Sequence, residues 1–294
     1  MRPSLPAMPA AVPAHDDAFP RRIVCLTDET TEILYLLGRQ DRIVGVSGFV
    51  RRPPAARRKP RVSAFRDADI PAILALKPDL VLTFSDVQAD ITRQLVLRGV
   101  TVLNFNQRTI AEILDAITLV ARIVGKPAQG RALVRKLLRG FHIISASAQT
   151  FPFRPRVFFE EWNDPIISGI GWVEELLEIA GGALLFPQLR NCGKAQDRVV
   201  DPAAVPARDP QLILASWCGR KVNLREIASR AGWSSTSAVR NGHVLEIPST
   251  CILQPGPASL TEGLWQLHHA LARVAGVNVG PALRRARKAA PHFL

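Results

Sequence analysis

Residues 126–149 (KPAQGRALVRKLLRGFHIISASAQ) form one uninterrupted helical pattern between two stretches of alternating short apolar runs and amphipathic segments. Leu133, Val134, Leu137, Leu138, Phe141 and Ile144 recur at spacings of three and four, the stripe of a helix lying on a core. Pro127 suits a first helical turn, and Pro152 and Pro155 prevent continuation past the end. At 1.5 Å per residue such a helix spans about 30 Å, the width of a small domain. It reads as a rigid strut joining two lobes. An ordinary helix inside one large domain has the same local pattern, so the flanking segments decide.

Before the strut, strands are expected at 22–26, 41–46, 79–84 and 100–104, and helices at 31–38, 69–76, 88–98 and 109–125. Residues 27–30 (TDET) offer capping oxygens, while Gly38 and Gly99 close two of the helices. After it, strands are expected at 156–159, 211–215 and 243–247. Helices are expected at 171–182, 201–208, 224–231 and about 259–275. The halves echo one another: DIPAILALKPDLVL begins at Asp69 and DPAAVPARDPQLIL at Asp201, an offset of 132. The fold class is therefore α/β, with parallel sheets in two lobes joined by a single long helix. The division is a lead-in over 1–20, a first lobe over 21–125, the helix over 126–149, and a second lobe over 150–294. A ligand cleft is expected between the lobes, beyond the carboxyl ends of the strands.

Composition narrows the function. Of the 294 residues 47% are hydrophobic and 21% charged, and no apolar run is long enough to cross a membrane. No apolar signal core stands near the start, which predicts a cytoplasmic protein, or a periplasmic one if the start is misassigned. Four scattered cysteines fit free thiols in a reducing compartment. The net charge of +13 includes six cations in 51–61 and a basic run at 284–288, read as a solvated loop and a frayed tail rather than a nucleic-acid surface. Phosphate loops, dinucleotide fingerprints, zinc-protease motifs and nucleophile elbows are all absent.

The blocks RIVCLTDETTEILYLLGRQDRIVGVSG and ALKPDLVLTF resemble the first lobe of substrate-binding proteins of ABC importers for vitamin B12, haem and ferric siderophores. EEWNDPIISGIGWVEELLEIAGG, ASWCG, AVRNGHVLEI and ILQPGPASLTEGL are similar to the branch labelled cobalamin-binding protein. The resemblance covers about 21–275 and implies two Rossmann-like lobes, a ligand between them and little hinge motion. It also implies non-catalytic binding of a corrinoid or related metal chelate, with aromatic rings over the corrin. The matching positions are Phe65 and Phe84, with Arg52 where those members carry a tyrosine, and Trp162 and Trp217 stand just after strands of the second lobe. Transport members dock on their permease through one glutamate per lobe. Those places are Pro71 and Ala203 here, so docking of that kind is not expected.

Cys218 lies at a strand end facing the expected cleft, where a thiolate could ligate a metal or act as a nucleophile. Glu161, beside Glu160 and Asp164, could reach the same space, as could Asp28, which could equally cap its helix. Arg52 and Arg198 are candidates for anionic ligand groups. His268 and His269 read as helix residues rather than ligands. The alternative function is a cytosolic metal-handling chaperone or thiol enzyme using Cys218 with Glu161 or Asp28, which requires a thiol of lowered pKa.

Overall fold

Short apolar runs bounded by capping and breaking residues pair side by side in each half of the chain. The computed structural model describes residues 20–290. The expected lead-in lies outside these but for Pro20, whose carbonyl accepts a hydrogen bond from Arg42 Nη1 at 2.9 Å. The first half contains β1 (Ile23–Cys25), α1 (Asp28–Leu36), β2 (Ile43–Ser47), β3 (Arg61–Ser63), α2 (Ile70–Ala75), β4 (Leu80–Phe84), α3 (Ala89–Val96), β5 (Val102–Phe105) and α4 (Ile110–Ile123). Its five strands are all parallel, in the order β3-β2-β1-β4-β5. Such strands are covered on both faces, which is why β1 and β4 are continuous buried apolar runs.

Then comes α5 (Pro127–Ala148), 22 residues long. The second half contains β6 (Arg156–Asn163), β7 (Ile166–Ser168), α6 (Gly171–Ile179), β8 (Ala183–Leu184), β9 (Leu212–Ala215), α7 (Leu224–Ser229), α8 (Ser237–Arg240), β10 (Val244–Glu246), α9 (Ser249–Ile252), α10 (Leu264–Ala275) and α11 (Gly280–Ala289). Its sheet runs β10-β9-β6-β7, with β8 also on β6. The order β6-β9-β10 repeats β1-β4-β5 of the first sheet. The offset of 132 extends to the backbone: Asp69 and Asp201 each cap the turn that follows, accepting from Ala72 N and Ala203 N at 2.9 Å. Lys77 and Asp209, also 132 apart, both take left-handed conformations, with φ of +47° and +44°. Each places the following proline at the entry to a strand.

Three differences from the expected elements have local causes. The helix expected over 201–208 is two 3-10 turns, Pro202–Ala204 and Pro206–Arg208, because Pro206 lacks the donor that a continuous helix needs. The final long helix opens with a π-helical turn, Ser259–Gly263, before α10. The basic run 284–288 is not a frayed tail. It belongs to α11, which lays buried Ala282 and Ala286 toward α5.

One hydrophobic core runs through both halves. It joins Ile33 and Leu34 of α1, Ile113 and Ile117 of α4, Leu137 and Ile144 of α5, Leu176 and Leu177 of α6, and Leu267 and Leu271 of α10. The outer faces of the two sheets carry separate clusters. The lobes thus share apolar packing along the strut, and the carboxyl-end loops are left to shape the cleft.

Candidate functional site

Parallel strands carry their loops at one edge, so the segments after β1, β2, β4 and β5 face those after β6, β9 and β10. Charges from the two sides feel each other across this gap. Asp28 and Glu161 both raise the pKa of the Cys218 thiol, after the larger effect of burial. Arg108, beyond β5, is acted on by Glu161 and by Arg198 of the other lobe. Asp28 and Arg108 of one lobe thus lie within electrostatic reach of Glu161 and Cys218 of the other.

Several expected contact residues are placed there and others are engaged elsewhere. Phe84 ends β4 with the Arg108 guanidinium 5.2 Å above its ring, and Arg108 also reaches Asp86 at 3.4 Å. Phe65 is half-buried against the main core, its carbonyl accepting from Gln88 Nε2 at 2.9 Å. Trp162 is half-buried near the β6–β7 hairpin, its indole N–H donating to the Asp164 carbonyl at 3.0 Å and Arg220 lying 5.4 Å from its ring. Cys218 is exposed. Trp162 and Cys218 thus keep accessible atoms at this edge, whereas Phe84, expected as a ligand contact, is 6% exposed, belongs to the main core and has Arg108 over its ring.

Trp217 differs from the expectation. It is buried in the second lobe's outer core, its indole N–H donating to Glu160 Oε1 at 3.1 Å. Glu160 is itself held by Arg230, with 3.0 Å between Nη2 and Oε1. Arg198 is also removed from the ligand. Buried to 1% exposure, it forks onto Glu161 at 2.8 and 3.1 Å and donates to the Ser168 carbonyl. A bidentate pair of this kind neutralises both charges, so neither Glu161 nor Arg198 presents a free charge, although Arg198 Nε is buried without a partner.

Arg52 has a third fate. Its Nε lies 3.3 Å from Glu32 Oε1 and its Nη1 bonds Glu262 of the other lobe. Glu32 in turn accepts from Ala258 N at 3.0 Å. Arg52 is an interlobe clamp and not a ligand arginine. Gln107 adds a second tie, donating to the Pro255 carbonyl at 3.1 Å, and Glu175 a third, accepting from Ile110 N at 2.7 Å.

The first turn of α1 is strongly acidic. Burial, with Glu32 nearby, pushes Asp28 up to about 7, and burial lifts Glu29 to about 8. Asp28 faces the cleft as a carboxyl that changes charge near neutral pH, rather than as a simple helix cap: Thr27 occupies the cap position. Among the described residues no group of three or more His, Cys, Asp or Glu is arranged to hold a metal ion. Cys218 has no companion ligands, and its raised thiol pKa is opposite to what the thiol-enzyme alternative requires. His268 is a core residue, bonded through its ring nitrogens to the Ala180 carbonyl and the Ser147 hydroxyl.

Arg108, Arg220 and Phe49 were not singled out from the sequence. Phe49 is 51% exposed in the loop after β2. Their common signal was position: each lies within a few residues of a strand's carboxyl end.

The chain matches the Periplasmic binding protein family over residues 23–250. It is 26% identical to an uncharacterised ABC transporter substrate-binding lipoprotein of Bacillus subtilis, covering 84% of this chain and 79% of that one. A vitamin B12-binding protein of Vibrio cholerae is 29% identical, over 81% of this chain and 85% of its own. Among solved structures, the periplasmic vitamin B12-binding protein of Vibrio cholerae superposes with a TM-score of 0.68 at 25% identity, covering 88% of this chain and 98% of its own. A periplasmic haem-binding protein of Roseiflexus gives a TM-score of 0.74 at 22% identity, covering 87% and 99%, a likeness of fold. With two α/β lobes on one helix and a family match over residues 23–250, the chain belongs to the periplasmic binding protein family, whose members bind substrates without transforming them.

Proposed function

We propose that the protein binds a corrinoid, or a related flat metal chelate, in the interlobe cleft. The observation that carries this reading is the electrostatic reach between Asp28 and Arg108 of one lobe and Glu161 and Cys218 of the other, beside the half-buried ring of Trp162. Apolar ring faces with a few polar groups at the rim suit a broad, flat ligand. The vitamin B12- and cobalamin-binding relatives support the corrinoid over haem and iron chelates. Any metal would arrive inside its chelate, because the described residues gather no cage of three or more ligands. The relatives named periplasmic or lipoprotein favour a location outside the cytoplasm over the cytoplasmic expectation. Pro71 and Ala203 offer a permease no carboxylate at those two places.

The test is titration of the purified protein with cyanocobalamin, haem and a ferric siderophore, followed by absorbance and calorimetry. Saturable one-to-one binding of cyanocobalamin, weakened about 5- to 30-fold by Trp162→Ala, is the expected result. Binding of haem or the siderophore alone would overturn the corrinoid reading. An unaltered affinity in Trp162→Ala would remove Trp162 from the site.

A further inference from the structure

Two acid-free segments of this chain, together with the locally basic stretch 51–61, carry its concentrations of positive charge. Eight Lys and Arg lie between Asp115 and Glu160, and five follow Glu262, with no Asp or Glu in either segment. Those thirteen cations equal the whole excess of 38 Lys and Arg over 25 Asp and Glu. The rest of the chain sums to 25 cations and 25 acids, with 51–61 a local basic stretch within it. The two segments are brought together by the fold, since α11 packs along α5 and α10 touches it as well.

On α5, Arg131, Arg135, Leu138, Arg139 and His142 fall within a stripe about 100° wide, opposite buried Leu133, Leu137 and Ile144. All five are exposed. No carboxylate pairs with Arg131, Arg135 or Arg139 among the described residues. Next to them α11 exposes Arg284, Arg285 and Lys288. Apolar side chains also break the surface on this helix and just past it: Leu138 is 38% exposed and Phe153, five residues beyond the end of α5, 43%.

The helix α4 begins at the carboxyl end of β5 and finishes at the opposite edge of the sheet, where α5 starts. The end of α5 leads into the amino end of β6. The stripe is thus remote from the strand-end loops that shape the cleft. Unneutralised cations interleaved with exposed apolar side chains match the headgroup and upper acyl layer of a bilayer. A nucleic acid would use the cations and leave Leu138 and Phe153 without a partner.

We propose that the exposed face of α5, extended by α11, docks on an anionic phospholipid surface, which leaves the ligand cleft pointing away from the lipid. This does not depend on which ligand the cleft holds. Attraction of this kind is peripheral, and no helix among the described residues is long and apolar enough to cross a membrane.

The test is flotation of the full chain with phosphatidylcholine vesicles, with and without phosphatidylglycerol, at about 0.05 and 0.5 M salt. Binding is expected only to the phosphatidylglycerol vesicles and is lost at the higher salt. Replacing Arg131, Arg135 and Arg139 by Gln keeps helix propensity and should weaken binding about 100-fold, from roughly fivefold per charge near such a surface. Arg57→Gln with Arg58→Gln, exposed in the other basic stretch, should change it little. Equal loss in both variants would overturn the assignment to α5, as would absence of binding to anionic vesicles. Tighter binding to duplex DNA than to vesicles at matched phosphate would replace the lipid by nucleic acid.

Discussion

Glu29 stands in the first turn of α1 with Oε1 buried and unpartnered, under a segment of the other lobe that approaches through Gly256. A Cβ on Gly256 would lie 2.4 Å from Glu29 Cβ, so only glycine permits that closure. Burial raises the Glu29 carboxyl from 4.5 to about 8. The folded chain therefore holds a proton that the unfolded chain releases between those values. The associated stability is complete below pH 4.5 and is lost as pH rises through about 8. Glu29→Gln should flatten the fall in stability between mildly acidic and mildly alkaline pH, by an amount on the order of a few kcal/mol. Urea denaturation across that range measures it, and an unchanged slope would mean that Glu29 does not titrate there. Cys218 is a residue-scale test of the opposite kind. Burial and two carboxylates raise its pKa, so in a Cys192→Ser background its alkylation by iodoacetamide at neutral pH should be slower than that of a solvated thiol. A faster rate would revive thiol chemistry. Sequence placed Cys218 at a strand end correctly, but the sign of its pKa shift depends on neighbours from both lobes.

At the scale of elements, two glycines of α5 make opposite predictions. Alanine usually stabilises a helix interior by about 1 kcal/mol over glycine. At Gly140 a Cβ would meet nothing within 4 Å, so Gly140→Ala should raise the denaturation midpoint by that contribution. At Gly130 a Cβ would stand 2.3 Å from Ala121 Cβ, where α4 and α5 press together. Gly130→Ala should lower stability by about 1–3 kcal/mol despite the better propensity. Equal effects at the two positions would contradict this packing. The helix itself was legible in Leu133, Leu137, Phe141 and Ile144, because a periodic apolar stripe is a local signal. The two glycines looked alike in sequence; only the crossing of α4 over α5 separates them. The strand β7 was hidden for a related reason. Its three residues are too short to show a period, and they become a strand by folding back on β6.

For the whole molecule, the shared core along α5 and the ties from Arg52 to Glu262, Glu32 to Ala258 N and Gln107 to Pro255 oppose large opening of the cleft. Solution scattering with and without ligand should give radii of gyration that agree within about 1 Å, as for partners that move little on binding. A larger contraction would show hinge closure. The sequence by itself determined the α/β lobes, the long helix and the 132-residue echo, because strand runs, capping residues and helix stripes are each written within a few neighbours. It also placed Phe84 at the end of a strand and Asp28 and Cys218 just beyond strands, whereas Trp162, expected after a strand, lies within β6 and pairs with Ile167 of β7. Only the tertiary structure decided that Arg198 and Glu161 neutralise one another, that Trp217 is core, and that Arg52 clamps the lobes. A charge or ring at a strand end has the same local pattern whether it faces a ligand or a partner far along the chain. What separates the two is which distant side chain arrives to satisfy it, and Glu262 reaches Arg52 from 210 residues away.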